Sequence, residues 1–417
     1  MSASFVRGAC PRRASPMETG DGLLARLVPS GPLALDGFGQ LCAAAEVHGN
    51  GLMEVSARGS IQVRGLTPVS APLFAASVEA LDLALCDGVP VLADPLPGDP
   101  TALLDARALA AAIGAAIAVR DLTLAPKISV IVDGGGQLHL DALAADIRLR
   151  AVRDADTPRL HVSLGGDASS ATPLGLAAPQ DAVALVLDLL GAIAAHGADS
   201  RAADVLRREG IAAFLSVAKG RLTPAPPLST RRRAETIGLH GLADGRCAFG
   251  VALPFGQAHA LDLIALIRMA AANGAAWVAT APSRTLLLGP IDEVTGFALA
   301  TAADHLGFIV DARDSRRRVA ACPGAPACAS GLIAARALAA EIANRLTPSD
   351  DGIAVHVSGC AKGCAHPAQA PLTIVGTEVG CGIVHNGTSH SQPEHHVSPD
   401  EVVAEAVRLV TRETADA

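Results

Sequence analysis

The sequence predicts a duplicated α+β chain, two copies of one mixed module in tandem, and three observations carry that prediction. First, "VHGNGLMEVSARGSIQVRGL" (47–66) and "AANGAAWVATAPSRTLLLGP" (271–290) share one grammar: a helix ending at glycine, a strand, a turn, and a second strand ending at glycine. Second, "DPLPGDPTALLDARALAAAI" (94–113) parallels "CPGAPACASGLIAARALAAEI" (322–342) through the helical "ARALAA", and the strand-like "KISVIVDGGG" (127–136) parallels "IAVHVSGCAK" (353–362). Self-similarity of this extent marks a repeated architecture. Third, "LTPAPPLSTRRRA" (222–234) is proline-rich, charged and aperiodic, and it reads as a linker near the middle of the chain.

With 417 residues, half of them apolar, the chain is long enough for several cores. A formal charge of -8 argues against general nucleic-acid binding, which needs clustered Lys and Arg facing phosphates. The two tight basic runs, Arg231 to Arg233 and Arg316 to Arg318, read as solvated surface turns. The N-terminal stretch lacks the apolar core of a signal peptide, and the longest apolar run, Ala108 to Val119, stops at Arg120, too short to cross a bilayer. A cytoplasmic protein with neither a membrane nor a nucleic-acid partner is expected.

Nine cysteines without an export signal point to metal or cluster ligation rather than disulfides. Cys10, Cys42, Cys86, Cys247 and Cys381 are isolated and read as buried small apolar side chains. Cys322 and Cys328 form C-x5-C ahead of a helix; Cys360 and Cys364 form C-x3-C after the strand "IAVHV". Structural zinc favours tighter C-x2-C knuckles. The wider spacings suit a 4Fe-4S cube, which needs four thiolates and close backbone approach of the kind that Gly324, Gly331, Gly359 and Gly363 permit. A zinc site and unligated thiols are the alternatives. The first copy carries Asp94, prolines and glycines where the second carries these cysteines.

"RGSIQVRG" alternates, so Arg58, Ser60, Gln62 and Arg64 share one face, as a polar crevice wall requires; exposed charges on strand ends are the plainer account. His366, two residues beyond Cys364, is a candidate proton donor or ligand, with a local structural role as the alternative. His139 and His161 stand in strand-like segments and read as satisfied core or surface histidines. "VHNGTSHSQPEHH", with His385, His390, His395 and His396, reads as a mobile loop. "VDGGGQ" lacks G-x-G-x-x-G order, and no nicotinamide or flavin site is legible, which points to a separate electron donor.

C-x5-C followed by C-x3-C, in the second copy of a duplicated chain, resembles the nitrite and sulfite reductase family that carries a 4Fe-4S cluster coupled to sirohaem. The likeness extends from "DGLLARLVPSG" through "RGSIQVRG" and "PKISVIVDGGG" to the cysteine loops. It implies two ferredoxin-like half-domains and two α/β domains about a pseudo-twofold axis, with a carboxylate-rich tetrapyrrole between the halves. On this basis residues 14–72 and 237–300 form the half-domains. Residues 73–220 form an α/β domain without cluster cysteines, 221–236 the linker, and 301–417 the α/β domain with the 4Fe-4S cluster. The resemblance makes Cys322, Cys328, Cys360 and Cys364 the cluster ligands, with Cys364 facing the tetrapyrrole. It makes Arg26, Arg58 and Lys127 a cationic grip on tetrapyrrole carboxylates; Gln62 and Arg64 complete that wall.

Two departures sharpen this expectation. The family's anion-binding arginine is missing from the matching "CDGVPVLADP" (86–95), and the second lysine of its K-x-K pair is Ser129 here. A tetrapyrrole grip without an anion site is similar to the subgroup serving aerobic cobalamin biosynthesis, which "ACPRR", "METGDGLL" and "VDGGGQLHLDALAADIRL" also resemble. There the tetrapyrrole is the substrate: precorrin-3A is hydroxylated at C-20 with dioxygen, and the ring A acetate closes a γ-lactone onto C-1. This implies a monooxygenase with a 4Fe-4S cluster, a mononuclear non-haem iron, and NADH-linked electrons from a separate donor reductase. The other readings are a sirohaem-dependent sulfite or nitrite reductase and a non-catalytic iron-sulfur electron carrier.

Overall fold

The chain repeats one order of elements twice. A computed structural model describes residues 11–155 and 157–416; Cys10 lies outside them. The first half opens with β1 (Met17–Thr19), β2 (Gly22–Leu27), β3 (Leu33–Ala34), α1 (Leu35–His48), β4 (Leu52–Val55), β5 (Ile61–Leu66) and α2 (Ser70–Ala80). It continues with β6 (Val91–Ala93), α3 (Ala106–Ala118), β7 (Val130–Asp133), β8 (Ala145–Asp154), β9 (Thr157–Gly166), β10 (Thr172–Ala177), α4 (Ala182–Ala194), α5 (Ala202–Glu209), α6 (Ala212–Ala218) and β11 (Leu222–Thr223). The second half runs β12 (Gly238–Gly241), β13 (Cys247–Ala252), β14 (Gln257–His259), α7 (Ala260–Ala272), β15 (Trp277–Ala281), β16 (Thr285–Ile291) and α8 (Glu293–His305). It closes with β17 (Val319–Ala321), α9 (Ala335–Ala343), β18 (Val355–Ser358), β19 (Ala370–Thr377), β20 (Gly380–Gly387), β21 (His395–Val397) and α10 (Val402–Asp416).

The sheets match in pairs. One five-stranded sheet has the order β1-β2-β5-β4-β14 and its counterpart β12-β13-β16-β15-β3. Each therefore borrows its last strand from the other half: Gln257 pairs with Glu54, and Trp277 with Ala34. Behind them a single apolar core is shared, Phe38 and Phe74 of the first half packing in one cluster with Phe249 and Phe308 of the second. The hairpin turns of the two sheets also meet, Ser283 N–H donating to Ala57 O at 3.1 Å.

The two remaining sheets each contain three parallel strands, β6-β7-β8 and β17-β18-β19, extended by antiparallel ones. Each has its own core. The helix of each crossover is built from the repeated "ARALAA". In α3, Ala106, Ala110, Ile113 and Ile117 fall on one buried face, and Asp105 caps the first turn by accepting from Arg107 N and Ala108 N, both at 3.1 Å. No described helix is long and apolar enough to cross a membrane.

Candidate active site

Because β17 and β18 are parallel neighbours, the loops that follow them leave the sheet from one edge. Cys322 and Cys328 lie on the first loop, Cys360 and Cys364 on the second. Gly359 N–H donates to Cys322 Sγ at 3.1 Å, and Leu332 N–H donates to Gly359 O at 2.7 Å, stitching the loops together. Glycine is required here by contact: a Cβ on Gly359 would stand 2.9 Å from Gly324 Cα and 3.4 Å from Cys322 Sγ, and one on Gly331 would stand 2.5 Å from Ala325 N.

Burial raises the Cys322 thiol pKa against the pull of the Gly359 and Gly324 N–H groups. Burial, then the fields of Cys322, Cys360 and Cys328, raises that of Cys364. Cys322 and Cys364 thus lie within electrostatic reach of one another and of both Cys328 and Cys360. Four thiols on a glycine-walled rim, with a backbone N–H already on one sulfur, fit a 4Fe-4S cluster.

The first half has a carboxylate where this centre has a thiol. Asp94 follows β6 as Cys322 follows β17, and its Oδ2 accepts from Gly134 N at 2.6 Å, the counterpart of the Gly359 to Cys322 bond. Asp94 is only 7% exposed, and its Oδ1 has no partner among the described residues. Burial, then the neighbouring Asp133, raises its pKa well above the carboxylate range, which favours the protonated form. The sequence showed the residue difference but not this exchange of one hydrogen-bond acceptor for another.

The cationic residues divide into two groups. Arg58 lies on the β4–β5 turn and not on the alternating strand face, since β5 begins only at Ile61. It donates to Ala144 O at 2.8 Å and Ser129 Oγ at 3.2 Å. Burial, then Arg26 and Arg201, lowers its pKa. Ser129 N in turn donates to Asp146 at 3.0 Å, and Arg201 grips that buried carboxylate at 2.9 and 2.8 Å. Arg26 donates from Nε and Nη2 to Ser60 Oγ at 3.1 and 3.0 Å. Across the strands Arg26 faces Gln62, and Gln62 faces Glu54. Lys127 is exposed, and the adjacent Pro126 lines a cleft with Arg12, Arg13 and Arg26.

Arg64 departs from its expected place on the crevice wall. It is 3% exposed and bonded to both Asp21 oxygens, at 3.0 and 2.8 Å, and to Ala327 O at 2.9 Å. Its guanidinium is therefore committed to holding the loop beside Cys328. Alternation gives the face correctly but cannot show the carboxylate arriving from the β1–β2 turn. Sequence reasoning also missed Arg284, in the second copy of the hairpin turn, which donates to Ala365 O, next to Cys364, at 3.1 Å. Arg336 on α9, likewise missed, reaches Glu54 at 2.9 Å and bonds Gln257. The duplication offered the one signal for Arg284, since its counterpart turn carries Arg58.

His366 is half-buried, with Nε2 3.4 Å from Gln369 O and its ring edge-on to His356 at 5.7 Å. His356 is fully buried, with both ring nitrogens unpartnered among the described residues; burial, then His366 and Arg284, lowers its pKa to about 4. His139 sits in a loop and not a strand, its Nε2 2.8 Å from Arg232 O. His161 on β9 is buried with neither ring nitrogen partnered among the described residues, against the expectation of a satisfied histidine. The histidine-rich 384–396 segment is a loop only over 388–394: His385 lies within β20, His395 and His396 open β21 beside it, and Glu394 accepts from His385 N at 3.2 Å and stands 3.0 Å from its Nδ1.

No protein-family model matches the chain. It is 36% identical over 423 aligned residues to a precorrin-3B synthase of a Sinorhizobium species, covering 100% of this chain and 91% of that one. Over 171 residues it is 24% identical to the sulfite reductase [NADPH] hemoprotein beta-component of Chromohalobacter salexigens, spanning 38% of this chain and 30% of the other. Among solved structures it matches the Mycobacterium tuberculosis NirA protein with a TM-score of 0.76 at 21% identity, over 93% of this chain and 80% of that one, a likeness of fold.

Proposed function

Because the chain belongs to the precorrin-3B synthase family, on a fold shared with NirA, we propose that it converts precorrin-3A to precorrin-3B in aerobic cobalamin biosynthesis. The reaction is C-20 hydroxylation with closure of the ring A acetate onto C-1 as a γ-lactone. One atom of dioxygen enters the substrate and the other leaves as water, which takes up two electrons and two protons.

The bond from Arg58 to Ser129 Oγ, at 3.2 Å, carries this reading. A neutral hydroxyl stands where a sirohaem reductase is expected to have a second lysine for its small anion. Arg26, Arg58 and Lys127, with Gln62 among them, would orient a carboxylate-rich macrocycle. Cys322, Cys328, Cys360 and Cys364 would hold a 4Fe-4S cluster, which when bound supplies electrons singly, as reaction of dioxygen with a closed-shell substrate demands. His366, beside Cys364, is the candidate proton donor. Arg64 and Arg284 position the cysteine loops rather than the substrate.

A mononuclear non-haem iron, NADH-linked electrons from a separate donor reductase, and a cytoplasmic setting complete the proposal. The described side chains offer no two-histidine, one-carboxylate set, so no step is assigned to that iron.

The test is purification without air, an absorption spectrum, then addition of precorrin-3A, a reductant and dioxygen. A brown iron-sulfur spectrum and an oxygen-dependent product heavier by one oxygen atom are expected. Cys328→Ser should lose the absorbance and Cys86→Ser should keep it. Sirohaem bands on isolation, or a product formed equally well without dioxygen, would overturn the reading.

A further inference from the structure

The two arginine runs that read as separate surface turns come together in the fold. Arg232 and Arg233, at the end of the linker, and Arg317 and Arg318, before β17, line one open groove with Arg313. Only two carboxylates, Glu235 and Asp350, share its walls, and Arg317 engages Glu235 at 2.8 and 3.1 Å.

Arg318 is 4% exposed; its Nη1 donates to Thr347 O at 3.0 Å, while its Nε has no acceptor among the described residues. The side chains of Arg232, Arg233 and Arg313 are exposed, with no ion pair among the described residues. Gly352, at φ +91°, adjoins them, its Cα beside the Arg233 guanidinium. Five guanidiniums gathered in a chain of net charge -8 repel one another, and a multivalent anion between them offsets that repulsion.

We propose that this groove binds a small multivalent oxyanion of the diphosphate class, held in bidentate fashion by the guanidinium forks. A diphosphate suits it better than a carboxylate acid because each phosphoryl group presents three terminal acceptor oxygens against the two of a carboxylate, and its charge is held on a shorter span. The groove stands at the start of β17, whose far end leads into Cys322, so it is separate from the cysteine loops and does not depend on what they hold.

Titration calorimetry on the full chain, purified without air and at low ionic strength, tests this with inorganic diphosphate as the probe and citrate as the comparison. Diphosphate should bind about tenfold more tightly than citrate. The Arg232→Ala/Arg233→Ala/Arg313→Ala variant should weaken it by about tenfold or more, the scale of losing charge-assisted hydrogen bonds. The charge-matched Arg120→Ala/Arg207→Ala/Arg208→Ala variant should bind as the parent does. Absence of diphosphate binding, equal affinity for citrate, or an equal loss in both variants, which is general attraction to surface charge, each overturns the proposal.

Discussion

Arg64 shows how one side chain joins the two ends of the sequence: the same guanidinium holds Asp21 and the carbonyl of Ala327, next to Cys328. Arg64→Ala leaves the Asp21 carboxylate, and that of Glu54 3.8 Å from the guanidinium, without this partner, which should cost about 3–5 kcal/mol, the scale for breaking a buried pair. Iron bound per chain should fall with it, read by thermal unfolding and iron assay, and Arg64→Lys should recover part of both. Asp94 makes a pH-dependent case. Its folded pKa lies above the unfolded 3.8, so its contribution to stability is complete below that value and is lost as pH rises through the folded pKa. Asp94→Asn keeps an acceptor for Gly134 N and cannot ionise. It should gain stability over the parent as pH rises above about 4, by about 1.4 kcal/mol per unit of raised pKa, seen as a widening gap in Tm. Residue identity was legible at both positions and partnership was not. Alternation put Arg64 on the right face, but Asp21 and Ala327 lie at sequence separations that no local pattern spans.

At the scale of elements, two loops at one edge of a parallel sheet make the cysteine centre, and their glycines decide whether it closes. Gly359→Ala places a Cβ 2.9 Å from Gly324 Cα, backbone against backbone, where no flexible side chain can give way. The variant should keep its far-ultraviolet circular dichroism, because the parallel strand pairs are untouched, and lose iron-sulfur absorbance; full absorbance would show that the loops need no such contact. These loops were legible because cysteine spacing and glycine content are local. So were the hairpins and the "ARALAA" helices, whose periodicity fits within one element. The histidine-rich 384–396 segment was misread for the opposite reason. Its β21 has three residues, too few for a period, and its order comes from pairing with β20 and from Glu394.

At the scale of the molecule, the duplication was visible as repeated text, and the exchange of β3 and β14 between the sheets was not. Strands of two and three residues carry no pattern, and which sheet they join is set by tertiary packing. The exchange has a consequence for how the chain can be cut. Neither half owns a complete five-stranded sheet, and the core holding Phe38 and Phe249 is divided between them. Each half expressed alone should be insoluble, whereas the two co-expressed as separate chains, broken within 224–230, after β11, should co-elute on gel filtration as a one-to-one pair. Elution as two independent soluble species would contradict this. Seen in this way the molecule is an interlocked dimer written as a single polypeptide, and its linker is a tether more than a hinge.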